Sequence, residues 1–235
     1  MLEEQKEFAR RRKQFLQMVG AGNIAVIASA SMVHRNGDVE YPFRQNSDFY
    51  YLSGFDEPEA VIVFVPGREN GEYLIFCREF DEQTALWVGA NAGLEGAVKQ
   101  YAVDDAFPID DIDDILPGLL ENKNRLYFPM GAQPEFDQKL MDWSQQVRNR
   151  SRAGISAPAE FISSDHILHE MRLIKSAHEI KLMKKAAKIS VKAHRQAMQT
   201  CRPTMYEYQV DANIKHSFMT QGAQHEAYPA IVGGG

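Results

Sequence analysis

The beginning of the chain carries apolar side chains at a helical spacing. Phe8, Phe15 and Val19 fall on one face of an α-helical period, which predicts a helix over residues 3–19. Gly20 follows directly, and glycine is the residue that most often ends a helix. Residues 10–13, a run of arginine and lysine, lie mostly off the apolar face, so we expect them on a solvated surface.

Short runs of β-branched and aromatic residues follow, each bounded by turn residues, and this pattern predicts strands. The runs cover residues 24–28, 60–65, 73–77 and 125–128. Pro66-Gly67 and Asn70-Gly71 lie between the second and third runs and predict an antiparallel hairpin. Helical patterns stand at residues 80–88, 109–122 and 134–148. Strands mixed with helices, together with a hairpin, predict an α/β domain with a mixed sheet.

The last third of the chain contains two helices with recognisable starts. Ser176 and Glu179 have the spacing of a capping box, and the helix that follows has to end near Arg202, because proline comes next. Thr204 and Glu207 predict a second capping box and a second helix. After it come a strand-like run at residues 228–232 and three glycines. Two helices and one such run do not complete a core, so we expect a truncated domain here.

The composition is that of an ordinary globular chain, with 44% hydrophobic and 25% charged residues among 235. Charge is unevenly spread. Residues 170–235 hold ten Lys/Arg against five Asp/Glu, a net of +5, and the rest holds 16 against 27, a net of −11. The change of sign is consistent with a domain boundary near residue 170, but on charge alone a solvated helix face rich in lysine is the simpler explanation. With the other signals we place two domains at residues 1–168 and 169–235. The overall net charge of −6 disfavours non-specific nucleic-acid binding.

Targeting and membrane signals are absent from this sequence. The longest uncharged apolar run, residues 24–33, has about half of the ~20 residues needed to span a bilayer. The N-terminus is charged and has no apolar segment of a secretory leader. Cys77 and Cys201 are too few and too far apart for a disulfide framework or a zinc site. We therefore expect a cytoplasmic protein with no membrane and no nucleic-acid partner.

Residue types and spacing alone indicate no catalytic motif. His169-Glu170 begins like a zinc-binding HExxH helix, but position 173 is leucine. The acidic residues between 104 and 114 lack the glycine and the final glutamate of a calcium loop, so we interpret them as a loop and a helix N-terminus.

Resemblance to a known family indicates a function that the spacing of individual residues does not. Residues 41–55, YPFRQNSDFYYLSGF, and 57–60, EPEA, closely resemble the N-terminal domain of bacterial aminopeptidase P. So do HEMRLIKS at residues 169–176 and CRPTMYEY at 201–208. Residues 228–233, YPAIVG, are similar to the stretch that precedes the family's first metal ligands. Within the first segment we expect Arg44, Asn46 and Asp48 to satisfy backbone groups.

The resemblance implies a creatinase/aminopeptidase P-type mixed-sheet domain, followed by the first helices of a truncated pita-bread α+β domain. In the family that second domain holds two divalent ions, usually manganese, on two aspartates, one histidine and two glutamates. All five ligands would follow the last residue of this chain. We therefore expect no metal ligand and no catalytic residue in this chain, and no activity from it alone.

Three residues match family positions close to the substrate: Tyr228, Trp87 and Arg152. Tyr228 corresponds to a tyrosine of the metal and substrate cleft. Trp87 corresponds to a loop that approaches a neighbouring subunit's cleft in tetrameric relatives, and Arg152 to an arginine placed similarly. A plain structural role is the alternative for each of them.

The resemblance thus implies part of a metallo-exopeptidase that releases the first residue from peptides with proline at the second position. A homo-oligomer, dimer or tetramer, is expected, with the N-terminal domain narrowing the cleft. Two alternatives stay open. One is a prolidase, which takes Xaa-Pro dipeptides, and the other is a non-catalytic pita-bread binding protein.

Overall fold

The computed structural model describes residues 3–234. The chain divides into two compact units, Met1–Leu173 and Ile174–Gly235, which we call the N-terminal unit and the C-terminal unit. The domain boundary that we expect after residue 168 stays a prediction, because a division into compact units does not test where a domain ends. Across residues 3–234, no helix combines the length and the apolar composition needed to cross a membrane.

The N-terminal unit contains seven helices and eight strands among its described residues. The helices are α1 Glu3–Val19, α2 Ser47–Ser53, α3 Glu82–Val88, α4 Gly93–Tyr101, α5 Ile112–Leu120, α6 Pro134–Asn149 and α7 Asp165–Leu173. The strands are β1 Ile24–Ala28, β2 His34–Asn36, β3 Val39–Glu40, β4 Val61–Phe64, β5 Tyr73–Cys77, β6 Asp105–Pro108, β7 Arg125–Phe128 and β8 Glu160–Ser163. Two 3₁₀ turns lie at Ile109–Asp111 and Ser151–Ala153.

Six of the strands form one mixed sheet in the order β6-β5-β4-β1-β7-β8. The predicted hairpin is confirmed, because β4 and β5 pair antiparallel with Val61 opposite Phe76. Strand β1 pairs antiparallel with β4 and parallel with β7, so the first strand of the chain lies inside the sheet. The outer pairs β5–β6 and β7–β8 are parallel. The predicted α/β fold with a mixed sheet is correct.

Helices cover both faces of the sheet, which explains why its central strands are continuously apolar. Successive side chains of a strand point to opposite faces. In β1, Ala25 and Ile27 join the core beneath α1, α2 and α7, whereas Ile24 and Val26 join the core beneath α5 and α6. The largest fully buried side chain of the described residues, Trp143, belongs to the second core.

Two strands of the six-stranded sheet escape the sequence pattern because both lie at its edges. The short strands β2 and β3, which form a separate two-stranded sheet, were not predicted either. Asp105–Pro108 forms β6, in a segment that the sequence indicated as a loop and a helix N-terminus. Asp104 positions this strand, since one carboxylate oxygen accepts hydrogen bonds from the backbone N–H groups of Glu72, at 2.8 Å, and Tyr73, at 2.9 Å. Strand β8, Glu160–Ser163, carries few apolar residues and pairs only with β7 among the described strands.

The C-terminal unit contains two helices in its described part, α8 Ala177–Thr200 and α9 Glu207–Thr220. The first capping box is confirmed: Ser176 Oγ accepts from Glu179 N–H, and the Glu179 carboxylate accepts from Ser176 N–H. The second is wrong. Thr204 has a φ of +77° and lies outside α9. The N-cap residue is instead Tyr206, whose N–H donates to Gln209 Oε1 at 2.9 Å.

Candidate functional site

The segment of residues 41–60 is built around one buried side-chain amide. Gln45 is 2% exposed, and its Oε1 accepts from Ala30 N–H at 2.8 Å and Asn46 N–H at 2.9 Å. Its Nε2 donates to the carbonyls of Phe55 at 3.2 Å and Glu57 at 2.8 Å. All of its hydrogen-bonding groups are therefore used to fix the two ends of the segment against each other.

Helix α2 begins and ends within the same segment. Asn46 Oδ1 caps its N-terminus by accepting from Asp48 N–H at 2.9 Å and Phe49 N–H at 3.0 Å. Gly54 ends it in the left-handed conformation, with φ of +68°. The expected backbone role is thus correct for Asn46 and also for Arg44, which donates to the carbonyl of Gln45 at 2.8 Å. The Asp48 carboxylate instead forms an ion pair with Arg172 of α7.

Two arginines of α1 are buried against α2, although the sequence analysis placed them on a solvated surface. Arg11 and Arg12 are 6% and 5% exposed and donate to the carbonyls of Tyr51 and Leu52, both at 3.2 Å. Burial lowers the pKa of the Arg12 guanidinium from its usual value. Arg11 stacks 4.2 Å from the centroid of the Tyr51 ring. Because these carbonyls belong to the last turn of α2, the arginines satisfy groups that a short helix leaves unpaired.

Tyr51 connects α2 to α7. It is 7% exposed, its hydroxyl donates to the carbonyl of Met171 at 3.1 Å, and the Arg172 guanidinium lies 5.9 Å from its ring centroid. Glu57 makes a comparable link to the start of α4, accepting from Ala92 N–H at 2.8 Å. Burial raises the pKa of the Glu57 carboxyl, and the hydrogen bond from Ala92 partly offsets that shift. The residues of the family-like segment thus hold helices together.

One group of potential metal ligands occurs among residues 3–234. Asp48, Asp165 and His169 place one ligand atom each within 4.8 Å of the others, and Asp165 and His169 stand one turn apart on α7. Arg172 already pairs with Asp48 and supplies a positive charge to the cluster. Three ligands beside a guanidinium do not fit a site for two divalent ions.

The three residues matched to substrate-proximal positions are all exposed. Trp87 on α3 is 89% exposed, and Arg152 lies in the exposed 3₁₀ turn after α6. Both belong to the N-terminal unit but to separate elements. Tyr228, in the C-terminal unit, is 71% exposed. The buried hydrogen bonds of Gln45, Arg11 and Tyr51 were not predicted, and contacts such as Tyr51–Met171 join residues too far apart in sequence for any local pattern to show them.

Comparisons with known proteins agree with this division. Residues 8–127 match the family described as aminopeptidase P, N-terminal domain, and residues 181–235 match metallopeptidase family M24. The Xaa-Pro aminopeptidase of Escherichia coli strain K12 is 37% identical over 231 residues, which are 98% of this chain and 52% of that protein. The Xaa-Pro aminopeptidase of Haemophilus influenzae is 34% identical over 230 residues, again 98% of this chain and 51% of that protein.

Solved structures show the same relationship. The aminopeptidase PepP of Pseudomonas aeruginosa superposes with a TM-score of 0.93 at 50% identity, over 95% of this chain and 51% of that one. Proline aminopeptidase P II from Yersinia pestis gives 0.91 at 40% identity, over 95% and 52%. The chain spans about half the length of the curated relatives it matches. It belongs to the aminopeptidase P family, and it joins that family's N-terminal domain to the start of an M24 metallopeptidase domain.

Proposed function

We propose that this chain is part of an Xaa-Pro aminopeptidase, a cytoplasmic enzyme that releases the first residue from peptides with proline at the second position. The observation that carries the proposal is the similarity to Xaa-Pro aminopeptidases along 98% of the chain, in both units. The proline substrate poses a specific problem. Its tertiary amide has no N–H to bind and its ring requires a shaped pocket, so a dedicated enzyme is needed.

The proposed enzyme uses two manganese ions, in keeping with its M24 domain. Such a pair of ions lowers the pKa of a bound water and polarises the scissile carbonyl. By the family resemblance, we expect the ligands of both ions to lie outside residues 3–234. We expect these residues to contribute the N-terminal domain and, at the three matched positions, contacts near the substrate.

Activity of the complete protein tests the proposal directly. We expect release of alanine from Ala-Pro-Ala but not from Ala-Ala-Ala, loss of at least about 1,000-fold in rate after chelation, and recovery on adding Mn²⁺. Residues 1–235 alone should release nothing above the blank. Faster hydrolysis of the dipeptide Ala-Pro than of Ala-Pro-Ala would instead identify a prolidase. Absence of any hydrolysis by the metal-loaded protein would leave the non-catalytic binding protein as the function.

We further propose that Tyr228 lines the substrate cleft and that Trp87 and Arg152 approach the cleft of a neighbouring subunit in a homo-oligomer. The exposure of Trp87 supports an intermolecular role. A large aromatic side chain left 89% in water contributes nothing to its own fold, and tryptophan is enriched at interface hot spots. Leu86 beside it is 86% exposed, which extends the apolar surface.

Replacing Trp87 with alanine should therefore weaken subunit association without destabilising the subunit. Loss of an interface hot spot costs about 2 kcal/mol or more, so we expect the oligomer dissociation constant to rise at least about 30-fold. Analytical ultracentrifugation of the complete protein measures it, with Met18→Ala, another exposed apolar truncation, as the control. A dissociation constant unchanged by Trp87→Ala would eliminate the proposed interface.

A further inference from the structure

One face of α8 carries a row of cations. Lys184, Lys185, Lys188, Lys192 and Arg195 are all exposed, and we call them the lysine face. At about 100° per residue they fall within an arc of roughly 100°, and from the first to the last they rise about 16 Å along the helix axis. No acidic residue interrupts this arc. Within residues 3–234, none of the five forms an ion pair.

The rest of α8 does not neutralise this face. Its one acidic residue, Glu179, lies on another side of the helix and is held in the capping box with Ser176. Ile189 and Ala193 are buried, so a third side packs within the C-terminal unit. Along one border of the lysine face, Ile180 and Val191 remain 43% and 57% exposed. The exposed surface of α8 is thus cationic with an apolar margin.

This combination favours a flat anionic surface with an apolar interior over a nucleic acid. A single straight face lets all five charges reach one plane together, and an apolar margin beside a row of lysines is typical of helices that lie in a membrane interface. Four of the five cations are lysines, which act as point charges, whereas the paired geometry of arginine is preferred for binding individual phosphates.

We propose that the lysine face of α8 binds the anionic headgroups of a phospholipid bilayer and holds the protein at the membrane surface. This replaces the sequence-based expectation that the protein has no membrane partner, and it does not depend on the proposed peptidase activity. It requires no membrane-spanning helix, because α8 lies along the surface rather than across it.

Vesicle co-sedimentation of the complete protein tests the proposal. We expect binding to vesicles of equimolar phosphatidylcholine and phosphatidylserine but not to pure phosphatidylcholine, and loss of binding when ionic strength rises from about 0.1 M to about 1 M. Each lysine near an anionic leaflet raises the partition coefficient about fivefold. The triple variant Lys184→Gln/Lys188→Gln/Lys192→Gln should therefore lower that coefficient about 100-fold.

The matched control removes the same charge elsewhere. Lys6→Gln/Lys13→Gln/Lys99→Gln replaces three exposed lysines of the N-terminal unit and should change the partition coefficient less than about twofold. An equal loss in both triple variants would show a net-charge effect and overturn the proposal. So would equal binding to both kinds of vesicle. Tighter binding to duplex DNA than to the anionic vesicles, lost in the α8 variant, would assign the face to nucleic acid instead.

Discussion

Gly54→Ala is expected to lower the free energy of unfolding of the N-terminal unit by about 3 kcal/mol. The glycine has a φ of +68°, and an added Cβ would lie 2.4 Å from Phe8 Cε2 and 2.8 Å from two further atoms of that ring. The ring has little room to move away. Phe8 is 4% exposed, packs edge-to-face on Tyr50 at 5.7 Å, and has the Arg11 guanidinium 5.4 Å from its centroid. Urea unfolding followed by circular dichroism measures the change.

Gly154→Ala separates backbone strain from the steric clash. Gly154 has a φ of +78°, yet an added Cβ there meets nothing within 4 Å. Gly154→Ala should therefore lower the free energy of unfolding by about 1 kcal/mol, the strain of holding alanine in the left-handed conformation. If the two variants lost equal stability, the close approach of Gly54 to Phe8 would not be what requires glycine at the end of α2.

Trp143→Ala should destabilise the same unit by about 4 kcal/mol, because it empties the largest site in the core beneath α5 and α6. Trp143 is 2% exposed, meets Phe136 edge-to-face at 5.9 Å, and donates from Nε1 to Asp113 at 3.0 Å. Trp143→Phe keeps most of the apolar volume and loses that hydrogen bond, so a smaller loss of about 1–2 kcal/mol is expected.

The other tryptophan provides the reference. Trp87 is 89% exposed, and Trp87→Ala should change the free energy of unfolding by less than about 0.5 kcal/mol. Since the chain has only these two tryptophans, each variant also leaves a single tryptophan, whose emission under selective excitation reports its burial. A large loss of stability in Trp87→Ala, or a small one in Trp143→Ala, would contradict the assignment of core and surface.

The sequence predicts the interior of the fold better than its edges. Strands β1, β4, β5 and β7 are apolar runs because both of their faces are covered, and a local pattern is sufficient to find them. Strand β6 contains Asp105 and Pro108, and its pairing depends on β5, about 30 residues earlier. Edge strands tolerate proline and charge, so composition gives no signal of their presence.

The same limit explains the buried arginines and the ligand cluster. We expected residues 10–13 mostly off the apolar face of α1, but at about 100° per residue Arg12 falls between Val19 and Leu16 on that face. Arg11 borders the same face. Their burial arises because α2 packs beside that face and presents the carbonyls of Tyr51 and Leu52. The proximity of Asp48 to His169 similarly depends on α2 meeting α7. Family resemblance identified these segments as important without indicating what each side chain contacts.

The position of β1 inside the sheet has a consequence for the protein's biosynthesis. One side of β1 pairs with β4 early, but its other partner, β7, leaves the ribosome about 100 residues after β1, roughly 5–20 s later at ordinary elongation rates. Through that interval the nascent chain presents an unpaired apolar strand edge, the kind of surface that nucleates aggregation. Ribosome stalling before residue 128 is therefore the stage at which this chain most needs a chaperone.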